Sequence, residues 1–216
     1  MKQQTAGFSL IELAIALVVI ALLLGALLPL QGARREIAAR QEAQQLLEQV
    51  RDSLLGFTLA HGRLPCPAAP GGDGREDCGR EHGILPWSTL ALPARDPWGQ
   101  SLSYYADPRF THPVSDPLSS SIALDSNGNA RIKAARDAGG DLADKLPLVV
   151  VCHGQRGGGA WRDDRQIPAS SGDEAENADA DLIFVHRDPA PDFDDLLLWI
   201  GPAILKSRLA AVGRLS

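Results

Sequence analysis

The sequence predicts an α+β fold: a long N-terminal α-helix packed on a small antiparallel β-sheet, with an irregular cysteine-bracketed loop after the helix and a short C-terminal helix. Three observations carry that expectation. Residues 8–30 form an apolar run containing one charge, Glu12, and the run continues over 31–60 with apolar residues three and four apart. Residues 64–79 are dense in Pro and Gly and contain Cys66 and Cys78. Beyond them come short β-rich runs and a helical tail.

The apolar run at ~1.5 Å per residue spans roughly 35 Å, enough to cross a bilayer core with some tilt. A secretory signal fits poorly, because only Lys2 is basic ahead of the run, the run exceeds a signal's apolar region, and no small-residue cleavage site ends it. A plain anchor leaves Glu12 unexplained, since a charge in a membrane segment costs on the order of a few kcal/mol unless paired or snorkelling.

The order Met1-Lys2-Gln3-Gln4-Thr5-Ala6-Gly7, then Phe8-Ser9-Leu10-Ile11-Glu12-Leu13, closely resembles the leader and first turn of type IV prepilins and type II secretion pseudopilins. The resemblance implies a leader at residues 1–7, cut between Gly7 and Phe8 by a prepilin peptidase at the cytoplasmic face of the inner membrane, and N-methylation of Phe8. It implies that Glu12 is the assembly glutamate, pairing in low dielectric with the Phe8 amine of a neighbouring pilin or pseudopilin subunit. It also implies a pilin-like fold, with residues 8–30 as transmembrane or filament-core helix and residues 61–216 as a periplasmic domain. Counting Lys and Arg alone favours the reverse orientation, because Arg34, Arg35 and Arg40 follow the run and only Lys2 precedes it. The leader resemblance and the cysteines argue for a cytoplasmic N-terminus.

Over 31–60, Ile37, Leu46, Leu47, Val50, Leu54, Leu55 and Phe57 mark one helical stripe, with Arg, Glu and Gln on the other faces. Such a helix leaves a membrane or filament core and lays one face on a globular domain. Gly25 and Pro29 are expected to interrupt it, as a kink at the bilayer exit or, by the resemblance, as a stretch that melts on assembly. Heptad spacing is too short-lived for a coiled coil. The helix is expected to end at His61-Gly62.

Three cysteines allow three single bridges. A Cys66–Cys78 bridge closes a short loop worth about 3 kcal/mol in the chain-entropy model and suits an oxidising periplasm, and it is favoured because Cys152 falls in the apolar run Leu148–Cys152, which reads as a buried strand. A zinc site from Cys66, Cys78 and His82 is disfavoured for want of a close cysteine pair. Asp96-Pro97-Trp98-Gly99 reads as a turn with Trp98 anchored under the strand around Tyr104, and also resembles pseudopilins and their relatives. Residues 121–124 and 130–133 flank Asn127-Gly128 and are expected to form a hairpin, with Leu148–Cys152 and 182–185 as further strands.

Motifs for chemistry are weak. The formal charge of −6 gives nucleic acid no electrostatic footprint, and no second long apolar run follows the first. The glycines at 154–159 lack the Lys-Ser/Thr pair of a phosphate loop. Asp125, Asn127 and Asn129 alternate like a calcium loop but lack its closing glutamate. Asp173, Glu174, Asp179 and Asp181 belong to an acidic loop that is a weak calcium candidate, as in some secretion pseudopilins; otherwise no cofactor is expected, and a solvated charge run is favoured. No histidines pair at i,i+4 and no Ser/His/Asp set carries a nucleophile motif, so enzymatic activity is not expected.

The tail is acidic at 192–195, apolar at 196–200, and helical beyond Gly201-Pro202, with Ile204, Leu205, Leu209 and Val212 on one face. It either closes the core or offers a partner-binding helix. The expected function is that of a structural minor pilin or pseudopilin. The alternative is a membrane-anchored periplasmic binding or adhesion module that never polymerises.

Overall fold

The computed structural model describes residues 9–116, 118–169 and 172–215, with backbone alone at 24–31 and 33. The chain divides into two compact units, Met1–Arg40 and Gln41–Ser216. The cleavage pair Gly7 and Phe8, and with them the methylation site, lies outside the described residues.

The first helix, α1, spans Leu10–His61. Its backbone is helical through Gly25 and Pro29, where Pro29 lacks the N–H that would otherwise bond the Gly25 carbonyl. Within the second unit Ala43, Leu46, Leu47, Val50 and Leu54 are buried, as the stripe predicts, whereas Ile37 in the first unit is 59% exposed. At the C-terminus Gly62 takes φ +68° and donates to the Thr58 carbonyl (2.8 Å). A Cβ there would stand 2.3 Å from the Ser119 carbonyl oxygen, so only glycine fits this cap. Arg214 from the tail donates to the Ala60 carbonyl (2.7 Å), satisfying one of the acceptors orphaned at the helix end.

A four-stranded antiparallel sheet runs in the order β1 (His82–Ile84), β2 (Ser103–Ala106), β5 (Leu148–Cys152), β9 (Leu196–Trp199). A three-stranded sheet holds β4 (Asp141–Leu146), β3 (Ala130–Lys133) and β8 (Ile183–Val185), and β6 (Trp161–Arg162) pairs with β7 (Arg165–Gln166). Short helices α2 (Pro108–Thr111) and α3 (Asp173–Glu176) sit between strands, and α4 (Pro202–Ala211) closes the chain. One face of the larger sheet, with Tyr104, Leu148, Val150 and Cys152, joins the α1 stripe, Leu205 and Leu209 in the main core. The opposite face packs Tyr105, Val149 and Val151 against Ala130, Ile132, Leu146 and Phe184. Covered on both sides, β5 is buried at every position, which explains its unbroken apolar run.

The expected 121–133 hairpin does not form. Residues 121–124 are not a strand: Ile122 is fully buried in the main core while Leu124 is 69% exposed. Ala130–Lys133 pairs instead with β4, antiparallel, and with β8, parallel. Gly128 packs so closely on the Leu146 carbonyl that a Cβ would fall 2.0 Å from it, so tertiary packing overrides the local turn signal.

A disulfide joins Cys66 to Cys78, and Cys152 is a buried free thiol. The loop it closes is tied to the sheet edge, Ala68 exchanging backbone bonds with Ile84 (2.8 and 3.0 Å) and the Tyr104 hydroxyl donating to the Pro65 carbonyl (3.1 Å). Trp98 is half-buried against the main core rather than central to it. The Asp96-Pro97-Trp98-Gly99 turn is held by Asp96 Oδ1, which accepts N–H bonds from Trp98 (3.0 Å) and Gln100 (2.9 Å). Burial pushes the Asp96 carboxyl above its ordinary range against these bonds, and its other oxygen accepts from the Cys152 thiol (3.4 Å).

Candidate assembly segment and domain cavity

Residues 9–23 are exposed on every face of α1 although all but Ser9 and Glu12 are apolar. Leu10 is 89% exposed and Leu22 69%. A helix greasy all round is stable only when lipid or other protein covers it. Among the described residues no helix is long and apolar enough to cross a membrane; of the expected 8–30 span, Phe8 and the side chains of 24–30 lie outside them.

Ser9 stands at the helix start, its Oγ accepting the Glu12 N–H (3.2 Å) and its carbonyl accepting the Glu12 and Leu13 N–H groups (3.1 and 3.2 Å). Ser9-Leu10-Ile11-Glu12 therefore has the spacing of a capping box, with an acid in the first turn where the helix dipole favours it. Sequence reasoning passed over this serine although the S-x-x-E signal was there.

The acidic loop does not gather as one set. Asp173 pairs with Arg187 (2.7 Å), and Glu174 is buried against Arg156, which also pairs with Asp194 (3.6 Å). Asp179 and Asp181 instead meet Glu176, whose carboxyl is pushed up first by burial and then by those two charges, while Arg136 pairs with it (3.1 Å). The four weak calcium candidates are thus split in two, because α3 turns Asp173 and Glu174 toward Arg187 and Arg156 while Asp179 and Asp181 follow beyond its end.

A cavity of about 480 Å³ opens on the face of the larger sheet away from α1. Ser103, Tyr105, Val149, Val151, Trp161 and Phe184 line it, and Arg80 and His82 stand in its wall. Burial depresses the His82 pKa below its ordinary value against the charges of Glu81, Asp181 and Asp179, so the ring is neutral near pH 7. On that face β2 and the ends of β5 and β9 bring together three polar side chains. Ser103 of β2 is opposite Val151, so His153, two residues on, lies on the same face, and Asp195 is across from His153 one step beyond the Cys152–Leu196 pair. Ser103 Oγ is 2.8 Å from His153 Nε2, and His153 Nδ1 is 3.7 Å from Asp195 Oδ1. The His153 and Asp195 side chains are fully buried, and Asn177 Nδ2 donates to Asp195 Oδ2 (2.8 Å). These residues are fifty and forty-two positions apart in the chain, and nothing in the sequence marks them as a set.

Residues 2–28 match the family described as the prokaryotic N-terminal methylation motif. No curated protein and no solved structure matches the chain. The motif indicates a type IV pilin-like protein processed by a prepilin peptidase, and the match ends before the globular unit begins.

Proposed function

We propose that this chain is a minor pilin or pseudopilin. The prepilin peptidase cuts between Gly7 and Phe8, Phe8 is methylated, and residues 8–30 hold the protein in the inner membrane with residues 61–216 in the periplasm. Assembly with other pilin-like subunits then builds it into a type IV pilus or a type II secretion pseudopilus. The observation that carries this reading is the methylation motif over residues 2–28 running into a helix whose residues 9–23 expose apolar side chains on every face around one charge, Glu12. Neighbouring subunits would cover that surface, and a neighbour's Phe8 amine would neutralise Glu12. The domain's irregular loops and size suit a minor subunit rather than a repetitive major one, and the role is structural, asking no catalysis of this chain.

The cavity on the domain favours a second reading, a membrane-anchored periplasmic binding module that does not polymerise. Intact mass and N-terminal sequencing of the membrane-extracted protein separate the two. A start at methyl-Phe8 is expected, and retention of residues 1–7 overturns the pilin reading.

A further inference from the structure

The geometry points to a nucleophilic serine on the domain: we propose that Ser103, His153 and Asp195 form an acyl-transfer triad that opens onto the domain cavity and takes carboxylic esters of small apolar acyl groups. Such a triad is recognised by geometry and roles rather than by order in the chain.

Ser103 is partly exposed and lines the cavity, while the His153 imidazole behind it has no contact with solvent. In the tautomer that lets Ser103 donate to Nε2, the ring proton is on Nδ1, facing Asp195 Oδ1. His153 Nδ1 and Asp195 Oδ1 are both buried, and neither has a hydrogen-bond partner at the 3.7 Å that separates them. Two orphaned polar atoms pointed at each other in a core are costly for a purely structural network, and catalytic hydrogen bonds in empty sites are often long until substrate binds. A closure of under an ångström converts the pair into the bond that orients a base. Asp195 is itself held by Asn177, which ties it to β8 by exchanging bonds with the Val185 N–H (2.7 Å) and carbonyl (3.0 Å). Ser103 lies on β2, while His153 follows the last residue of β5 and Asp195 precedes the first of β9, so base and orienter are held at the ends of two hydrogen-bonded strands.

The cavity sets the substrate class. Its volume of about 480 Å³ falls within the range of small-molecule sites, and Tyr105, Val149, Val151 and Phe184 beside Ser103 offer an apolar berth for an acyl chain. In the reaction Ser103 Oγ bonds to the ester carbonyl carbon as its proton passes to His153 Nε2. The carbon–oxygen bond to the leaving alcohol then breaks, and that alcohol departs with the proton from His153. Water completes the cycle: His153 takes a proton from it, its oxygen bonds to the acyl carbon, the proton returns to Ser103 and the carboxylic acid leaves. Arg80, whose Nε donates to Asp77 (2.9 Å), and His82 stand in the wall of the same cavity.

The test is covalent labelling of the purified full-length, detergent-solubilised protein with an alkyl fluorophosphonate, read by intact mass and peptide mapping. One adduct per chain is expected, located on Ser103, absent in Ser103→Ala and at least tenfold slower in Asp195→Asn. Release of p-nitrophenol from p-nitrophenyl butyrate is expected to be lost in Ser103→Ala. Melting curves matching wild type show that each variant is folded. Folded wild-type protein that acquires no Ser103 adduct, or Asp195→Asn that labels at the wild-type rate, overturns the proposal. A structural hydrogen-bond network predicts no adduct at all. Neither result bears on cleavage after Gly7, so this proposal and the assembly reading fail separately.

Discussion

Ser9 Oγ accepts a hydrogen bond from the Glu12 backbone N–H at 3.2 Å, so Ser9 caps the helix at the residue that carries the one charge of the exposed apolar segment. The S-x-x-E spacing offers the Glu12 side chain a local capping role beside the proposed intersubunit one, and the two respond differently to substitution. Glu12→Gln keeps a side chain able to complete a capping box but removes the charge, whereas Glu12→Leu removes both. If a neighbour's Phe8 amine is the partner, both variants are cleaved after Gly7 yet fail to enter filaments; if capping is what counts, only Glu12→Leu fails. Mass analysis of the membrane fraction and of sheared filaments reads both outcomes. Normal incorporation of Glu12→Leu would remove the charge-pairing idea. Ser9→Ala is expected to cost about 1 kcal/mol of helix stability without blocking assembly.

Acid should loosen the disulfide loop. Arg63 grips Glu76 in a bidentate pair, 2.8 Å on each arm, and the Cys66 N–H donates to the same carboxylate (3.0 Å). Burial alone would raise the Glu76 pKa, but the Arg63 and Cys66 hydrogen bonds together with the Arg63 charge hold it below 4.5. A carboxyl depressed by folding stabilises the protein fully above its unfolded pKa, and that contribution disappears as pH falls through the lower folded value. Urea unfolding from neutral pH downward should therefore show a stability loss setting in below about pH 4.5, the Glu76 reference value. Glu76→Gln should flatten that part of the profile and lower neutral-pH stability by ~1–3 kcal/mol. An unchanged profile in the variant counts against the assignment.

Helix α4 divides its apolar residues between core and surface. Leu205 and Leu209 are completely buried, while Ile204 is 38% exposed and Val212, just past the helix end, 53%. Leu205→Ala should cost about 2–5 kcal/mol in denaturant unfolding, and Ile204→Ala less than about 1 kcal/mol. Equal costs would mean that α4 packs with a different face inward.

The extent to which the fold could be read from the chain follows from how far apart the deciding residues lie. The stripe at Leu46, Leu47, Val50 and Leu54, the end of α1 at Gly62 and the buried β5 all rest on local periodicity or backbone chemistry, and the structure has them where the sequence puts them. The hairpin around Asn127-Gly128 rested on equally local chemistry and was displaced, because Ile122 is taken into the main core and Ala130–Lys133 finds longer-range partners in β4 and β8. The acidic loop reads as one cluster because its residues are close in sequence, yet distant arginines draw off Asp173 and Glu174 while Asp179 and Asp181 gather at Glu176.

The sequence by itself determined the N-terminal identity of this protein, since the motif through Glu12 is a contiguous signal read along the chain, and it determined the amphipathic stripe because helical periodicity is a local property. Tertiary structure alone decided which strands pair with β3, how the acidic side chains are shared among arginines, and that Ser103, His153 and Asp195 converge beside a cavity. Strand register sets those relationships, and register depends on which faces are buried across the whole domain rather than on any one segment.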